Sequence, residues 1–138
     1  MSDVDALETR EPRRSPWTRR LILFLRIMAF VSMAKGLFHW GLVLGIGDGS
    51  GSSFENAAVP WQAATVFFAV IDLVAAVGLW LAAAWGGVVW LTAAISMAAI
   101  ELAFPQVFGG RIWIAVLEFL AIFVYIGLAL MSGRDRPD

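Results

Sequence analysis

Lys35 and His39 lie inside residues 21–46, a stretch that is otherwise almost wholly apolar apart from Arg26 near its start. Three acids, Asp72, Glu101 and Glu118, sit in later apolar runs. An amine, an imidazole and three carboxylates can carry protons, pair with one another, or bind a polar or ionic ligand. Each charge near the middle of a membrane span costs about 2.5–3.5 kcal/mol on insertion scales. With Arg26 counted, the five charged residues left unpaired would cost on the order of 12–17 kcal/mol, as much as the stability of a whole domain. The set is therefore expected to be paired, neutralised or close to water.

The elements that position these groups follow from composition. The chain has 138 residues, 60% hydrophobic and 15% charged. Soluble domains carry about 45–50% apolar and about 25% charged residues, so this balance fits one membrane-embedded domain. There is no cysteine. That excludes disulfides, thiol catalysis, cysteine-ligated zinc and iron–sulfur clusters. A bilayer core about 30 Å thick requires about 20 apolar residues in a helix. Residues 21–46 supply a first span, and the Gly/Ser-rich residues 47–60 form a loop. Residues 61–104 are too long for one crossing. Gly86-Gly87, between Trp85 and Trp90, is the expected break, because glycines permit a turn and tryptophans favour interfaces. The spans are then about 21–46, 61–84, 87–104 and 111–131. Residues 1–20 are expected to be a disordered basic cytoplasmic tail and residues 132–138 a second cytoplasmic tail. Of the seven tryptophans, Trp17, Trp61, Trp85, Trp90 and Trp113 are expected at interfaces, with Trp40 and Trp80 deeper.

Arg10, Arg13, Arg14, Arg19 and Arg20 precede the first span, and Arg134 and Arg136 follow the fourth. The two links on the other side carry only Arg111. This asymmetry places both termini in the cytoplasm. The expected fold is an all-α membrane protein, an up-down bundle of four transmembrane helices. Arg19, Arg20 and Arg26 are expected to contact lipid on the cytoplasmic side.

Depth can be counted at about 1.5 Å per residue from the outer end of each span. Lys35 then lies about 15 Å down and Asp72 about 16 Å, so these two are expected to pair. His39 lies about 9 Å down, Glu118 about 10 Å and Glu101 about 6 Å. At 100° per residue, Met28, Ser32, Lys35 and His39 share one stripe, with Arg26 on the opposite side. Thr65, Ala69, Asp72, Ala76 and Ala83 share a second; Ala94, Met97, Ala98 and Glu101 a third; Ala115, Glu118 and Tyr125 a fourth. Small residues beside each acid allow close helix approach, so the acids are expected to face the bundle interior. Lys35, His39, Asp72, Glu101 and Glu118 thus form an expected buried polar cluster, either proton-handling and ligand-binding or a network that sets helix register. Gly41-x-x-x-Gly45 is a candidate close-packing motif. No catalytic triad, phosphate loop or metal cluster is visible, and no catalytic residue, metal or cofactor is expected.

With these spans in place, the chain resembles the DoxX-like group of small bacterial membrane proteins. The likeness lies in LRIMAFVSMAKGLF and VIDLVAAVGLWL, over about the first 80 residues. Asp72 stands where glutamate is more usual, and the link after the first span is longer and richer in glycine. The chain is also similar to small four-span alphaproteobacterial proteins of no assigned activity that carry PWQ, GLW and a WG…VW turn. The DoxX-like resemblance implies a membrane subunit beside redox or sulfur-metabolism partners.

The leading expectation is a non-catalytic accessory or scaffold subunit of the bacterial inner membrane. Its partners would be the lipid bilayer and another membrane protein or further copies of itself, with no nucleic acid. The competing expectation is a small oligomeric proton-coupled transporter that uses the buried Lys/His/Asp/Glu cluster.

Overall fold

A computed structural model describes residues 15–46, 54–108 and 112–135. Arg10, Arg13, Arg14, Arg111 and Arg136, which entered the charge asymmetry, lie outside the described residues. So do most of the tail and the first half of the Gly/Ser-rich loop. Four long helices carry the fold: α1 (Pro16–Val43), α2 (Val59–Trp80), α3 (Ala84–Ala103) and α5 (Ile112–Arg134), with a single turn, α4 (Pro105–Phe108), before the last. Each of the four long helices is long and apolar enough to cross a membrane.

The first helix starts earlier than hydropathy alone indicates. Residues 16–20 are helical because Ser15 caps the end: its hydroxyl accepts from the Trp17 amide, and Pro16 sits in the first turn, where its missing N–H costs nothing. The helix ends in a paired carbonyl closure. The Gly45 amide donates to the Leu42 carbonyl and the Ile46 amide to the Gly41 carbonyl, with Gly45 in the left-handed region at φ 68°. Gly45 is thus the terminator of α1, and the Gly41–Gly45 motif does not continue along a helix face.

The same closure ends α2. The Ala82 amide donates to the Leu79 carbonyl and the Ala83 amide to the Gly78 carbonyl. Here the left-handed position is taken by an alanine, Ala82, at φ 50°. The break between the second and third helices is therefore at residues 81–83 and not at Gly86-Gly87. Ala83, expected on the Asp72 stripe, lies in this turn. The two glycines serve a different purpose. A Cβ on Gly86 would stand 2.2 Å from the Gly78 carbonyl carbon, and one on Gly78 would stand 2.4 Å from the Gly86 Cα. The backbones of α2 and α3 touch there, and only hydrogen atoms fit between them.

The helices pack in a closed ring, α1 on α2, α2 on α3, α3 on α5 and α5 back on α1. The start of α1 meets the end of α5. Ser15 donates to the Asp135 carboxylate at 2.5 Å, and the Thr18 and Ser132 hydroxyls bond at 2.8 Å. Both ends of the bundle's chain therefore lie on one side, as an up-down arrangement requires.

The half of the bundle nearest those ends holds an apolar core. Leu25, Ala29, Ala75, Leu79 and Trp90 are buried together, with Phe24, Met28 and Tyr125 against them. Trp90 is only 2% exposed and meets the rings of Phe24 and Tyr125 edge-on. It is a core residue and not the interfacial anchor expected of it, because the turn at 81–83 puts it nearly two turns inside α3. Elsewhere the interior is built from small side chains, including Ala69, Ala76, Ala93, Ala94, Ala98 and Ala115. The exterior carries the large apolar ones, among them Leu23, Phe30, Val77, Leu120, Phe123 and Leu130. This inversion suits a lipid surround, where helix association depends on close backbone approach and not on removing apolar surface from water.

Ala82 yields the first prediction. Left-handed backbone costs an L-residue roughly 1–2 kcal/mol, while glycine adds under about 1 kcal/mol of unfolded-state freedom. Ala82→Gly is expected to stabilise the protein by about 0.5–1 kcal/mol. A raised midpoint of thermal unfolding in detergent micelles would register it, and an unchanged or lowered midpoint would contradict it.

Candidate functional site

Beyond the apolar core, the four long helices each send one or two ionisable side chains inward. Lys35 and His39 come from successive turns of α1, Asp72 from the middle of α2, Glu101 from the last turn of α3 and Glu118 from the second turn of α5. All three acids are buried. The helical-face reading of the sequence therefore placed them on the correct sides, and the small residues flanking them let the helices close around them.

Lys35 is the centre of this group. Its ammonium donates to Glu118 Oε1 at 2.5 Å and stands 3.9 Å from Asp72 Oδ1. Backbone depth paired Lys35 with Asp72 and set Glu118 nearer the outer surface with His39. The structure makes Glu118 the closer partner. Lysine's four-carbon stem spans a level difference of about 5 Å that counting Cα positions treats as separation.

His39 Nδ1 lies 2.9 Å from the Lys35 carbonyl oxygen. A carbonyl only accepts, so Nδ1 carries the proton in this bond and a neutral ring would leave Nε2 as the acceptor. The same Nδ1 is 4.0 Å from Asp72 Oδ2. The ring rests beside Phe38 and Phe68, with centroids 5.8 Å and 5.7 Å away.

Asp72 is the most constrained member. It is wholly buried, and among the described residues neither carboxylate oxygen accepts a hydrogen bond. What holds it is the field of Lys35 and His39 at about 4 Å. Buried carboxylates in structural roles are hydrogen-bonded almost without exception, so an acid left this way is a reservoir for a proton or for a ligand contact.

A cavity of about 560 Å³ opens beside these groups. Lys35, His39, Glu101 and Glu118 are in its wall. Phe38, Trp61, Phe68, Trp113, Met97 and Thr65 supply most of the rest. Phe68 lies on the same helical face as Thr65, Ala69 and Asp72, at the three- and four-residue spacing that revealed those, and that spacing was the available signal. Trp61 and Trp113 are expected from the sequence only at an interface. Their position at helix starts in fact sets them at the open end of the bundle, where they line the cavity. Thr65 turns its hydroxyl back to the Trp61 carbonyl at 2.8 Å and presents its methyl group instead. Among the described residues no set of histidines and acids converges as metal ligands, and the Lys35 ammonium already fills the position between Asp72 and Glu118.

The arginines expected at lipid are exposed and lie apart from this centre. Arg20 stacks over the Trp17 ring at 4.7 Å and Arg26 over the Trp80 ring at 5.4 Å. Trp80 closes α2 and is half exposed, so it is not the deep residue expected. A second cavity, about 600 Å³, runs between α1 and α2 beside Trp80 and is lined by apolar side chains such as Ala29, Met33 and Leu73.

Removing Lys35 strands two carboxylates in low dielectric. Lys35→Ala is expected to cost about 2–3 kcal/mol in detergent unfolding, and Lys35→Ala with Glu118→Ala to recover part of that loss. The Lys35–Glu118 coupling energy from this cycle should exceed the Lys35–Asp72 coupling; the reverse order would contradict the geometry.

In comparisons with known proteins, a family model described as a family of unknown function, DUF6163, matches residues 19–136. No curated protein and no solved structure matches the chain. The matching model is not that of the DoxX-like group. The match spans all four long helices and every member of the polar centre, and on that extent the chain belongs to the DUF6163 family.

Proposed function

We propose that this chain is a small multi-pass membrane protein that binds a ligand in exchange for a proton at the Lys35–Asp72–Glu118 centre, acting as a small oligomeric proton-coupled carrier. The observation that carries this reading is Asp72: a wholly buried carboxylate that accepts no hydrogen bond among the described residues, about 4 Å from Lys35 and His39, which themselves line an open cavity. A network that served only helix register would satisfy its acids with hydrogen bonds. The centre also holds two carboxylates against a single lysine, so a proton or another cation completes its charge. An apolar core of Leu25, Ala29, Ala75, Leu79 and Trp90 lies between the polar centre and the chain ends, and we take the cavity to open away from it. A carrier exposes such a site alternately, and a second copy packed on this one would provide the surface against which the helices rock.

In this reading the protein resides in the inner membrane of a bacterium with both termini in the cytoplasm. The arginine asymmetry supports that orientation. Arg19, Arg20 and Arg26 then face anionic head groups of the inner leaflet.

Liposomes loaded with a pH-sensitive dye provide the test. With a panel of candidate counter-solutes supplied outside, wild-type protein is expected to dissipate an imposed proton gradient several-fold faster than empty liposomes for at least one of them, and Asp72→Asn to return the rate to the empty-liposome value. Wild-type flux equal to that of empty liposomes with every solute of the panel would remove the carrier reading.

A second reading, an accessory or scaffold subunit that holds another membrane protein, is supported by α5. Of its 23 residues only Ala115, Glu118 and Ser132 are buried, and Val116, Leu120, Phe123 and Leu130 line its outer side. The DoxX-like resemblance points the same way, toward a subunit beside redox partners. Purification in mild detergent after cross-linking in native membranes should then bring down a stoichiometric foreign subunit. Recovery of this protein only with itself would exclude that role.

A further inference from the structure

We propose that the ligand of the aromatic cavity is a lipophilic organic cation, a protonated amine or a quaternary onium ion with an apolar body. This names the ligand class of the site and rests on the carrier reading above. Three observations lead to it.

The first is charge. The Lys35 ammonium is committed to Glu118 at 2.5 Å and faces Asp72 at 3.9 Å. Among the described residues no other lysine or arginine lines the cavity. An anionic ligand would find no free cation and would meet carboxylates. A cation would meet Glu118 directly and would complete a centre in which two acids share one lysine. The His39 Nδ1 proton is already given to the Lys35 carbonyl, so this ring offers a face and an edge nitrogen but no spare positive charge while neutral.

The second is the wall. Phe38, Trp61, Phe68 and Trp113 line a space of about 560 Å³ whose wall also carries Glu101 and Glu118. Aromatic faces attract a cation through their quadrupole, more strongly when it is desolvated, and hold apolar substituents equally well. A volume in this range encloses a drug-sized molecule.

The third is access. Two of the residues that line the cavity, Phe38 on α1 and Trp113 on α5, are both more than 60% exposed on the outside of the bundle, and we take the entrance to lie between them. That surface is apolar, so the entrance faces acyl chains, and a ligand arriving from the bilayer must itself be lipophilic. A hydrated metal ion or a small polar cation would not partition there. The combination of acids in the wall, aromatic rings around the body and a lateral entrance selects for delocalised or alkylated positive charge.

The matched pair tetraphenylphosphonium and tetraphenylborate provides the probe, since the two ions share shape and differ in sign. Purified full-length protein in detergent is titrated with each while tryptophan fluorescence is followed. Saturable quenching by the phosphonium is expected, with no saturable quenching by the borate. Glu118→Gln should weaken phosphonium binding at least tenfold. Trp113→Ala, at an exposed ring that the fold does not depend on, should weaken it about threefold to fivefold. Absence of saturable phosphonium binding by the wild type would overturn the proposal, as would equal binding of the borate or unchanged affinity in both variants. The outcomes separate from those of the proton-flux test. Phosphonium binding without proton flux leaves the ligand class standing and removes the carrier, whereas proton flux without phosphonium binding removes the ligand class alone.

Discussion

A single ammonium group in a low-dielectric interior has to satisfy carboxylates from two different helices, and the rest of the molecule is arranged to make that possible. Lys35 reaches Glu118 on α5 and Asp72 on α2. Neither acid could remain at its depth without the lysine, because a charge in hydrocarbon has no water to solvate it. The interaction therefore ties α1 to both of its neighbours in the ring. It also fixes the level at which α1, α2 and α5 meet, since sliding any of them by one turn would move its charged group by about 5.4 Å and break the contact.

The packing that delivers this register is backbone-close. Gly78 against Gly86 brings α2 and α3 into contact, and a chain of alanines continues the approach toward the cavity. Large apolar side chains are displaced outward to lipid. The interior then divides into two zones with different physical character. Near the chain ends, Trp90 with Phe24, Leu25, Leu79 and Tyr125 fills the space with rings and branched chains. At the other end, the charged groups and four aromatic residues leave space unfilled. A bundle held together only by its own packing would have no reason to keep this second zone open.

Asp72 sharpens that contrast. The ends of α1 and α2 are closed by paired carbonyl motifs, and the side-chain hydroxyls of Thr65 and Thr92 return to their own helices. Against this background of satisfied groups, two carboxylate oxygens held only by charge stand out. They lie behind Lys35 and His39, which line the cavity, so whatever enters that space acts on Asp72 through those two groups.

The number of long helices, their order and the faces that carry the acids are legible in the chain alone. Each of these follows from local chemistry: a run of about 20 apolar residues, a 3.6-residue period, and small side chains next to Asp72, Glu101 and Glu118. It also drew Lys35, His39 and the three acids toward one end of the bundle. Only the tertiary structure decided which groups meet. Lys35 turned to Glu118 more closely than to Asp72, because side-chain reach and the tilt of neighbouring helices set contacts that residue counting cannot. It moved the turn to residues 81–83, since Gly86 was required for the crossing with Gly78 and an alanine could take the left-handed position. It placed Trp90 in the core and Trp61 and Trp113 around a cavity, because a tryptophan near a helix end fits an interface or an interior equally well until its neighbours are known. The cavity itself has no sequence signature: empty space is what side chains from separate helices fail to fill, and that exists only once the helices are packed together.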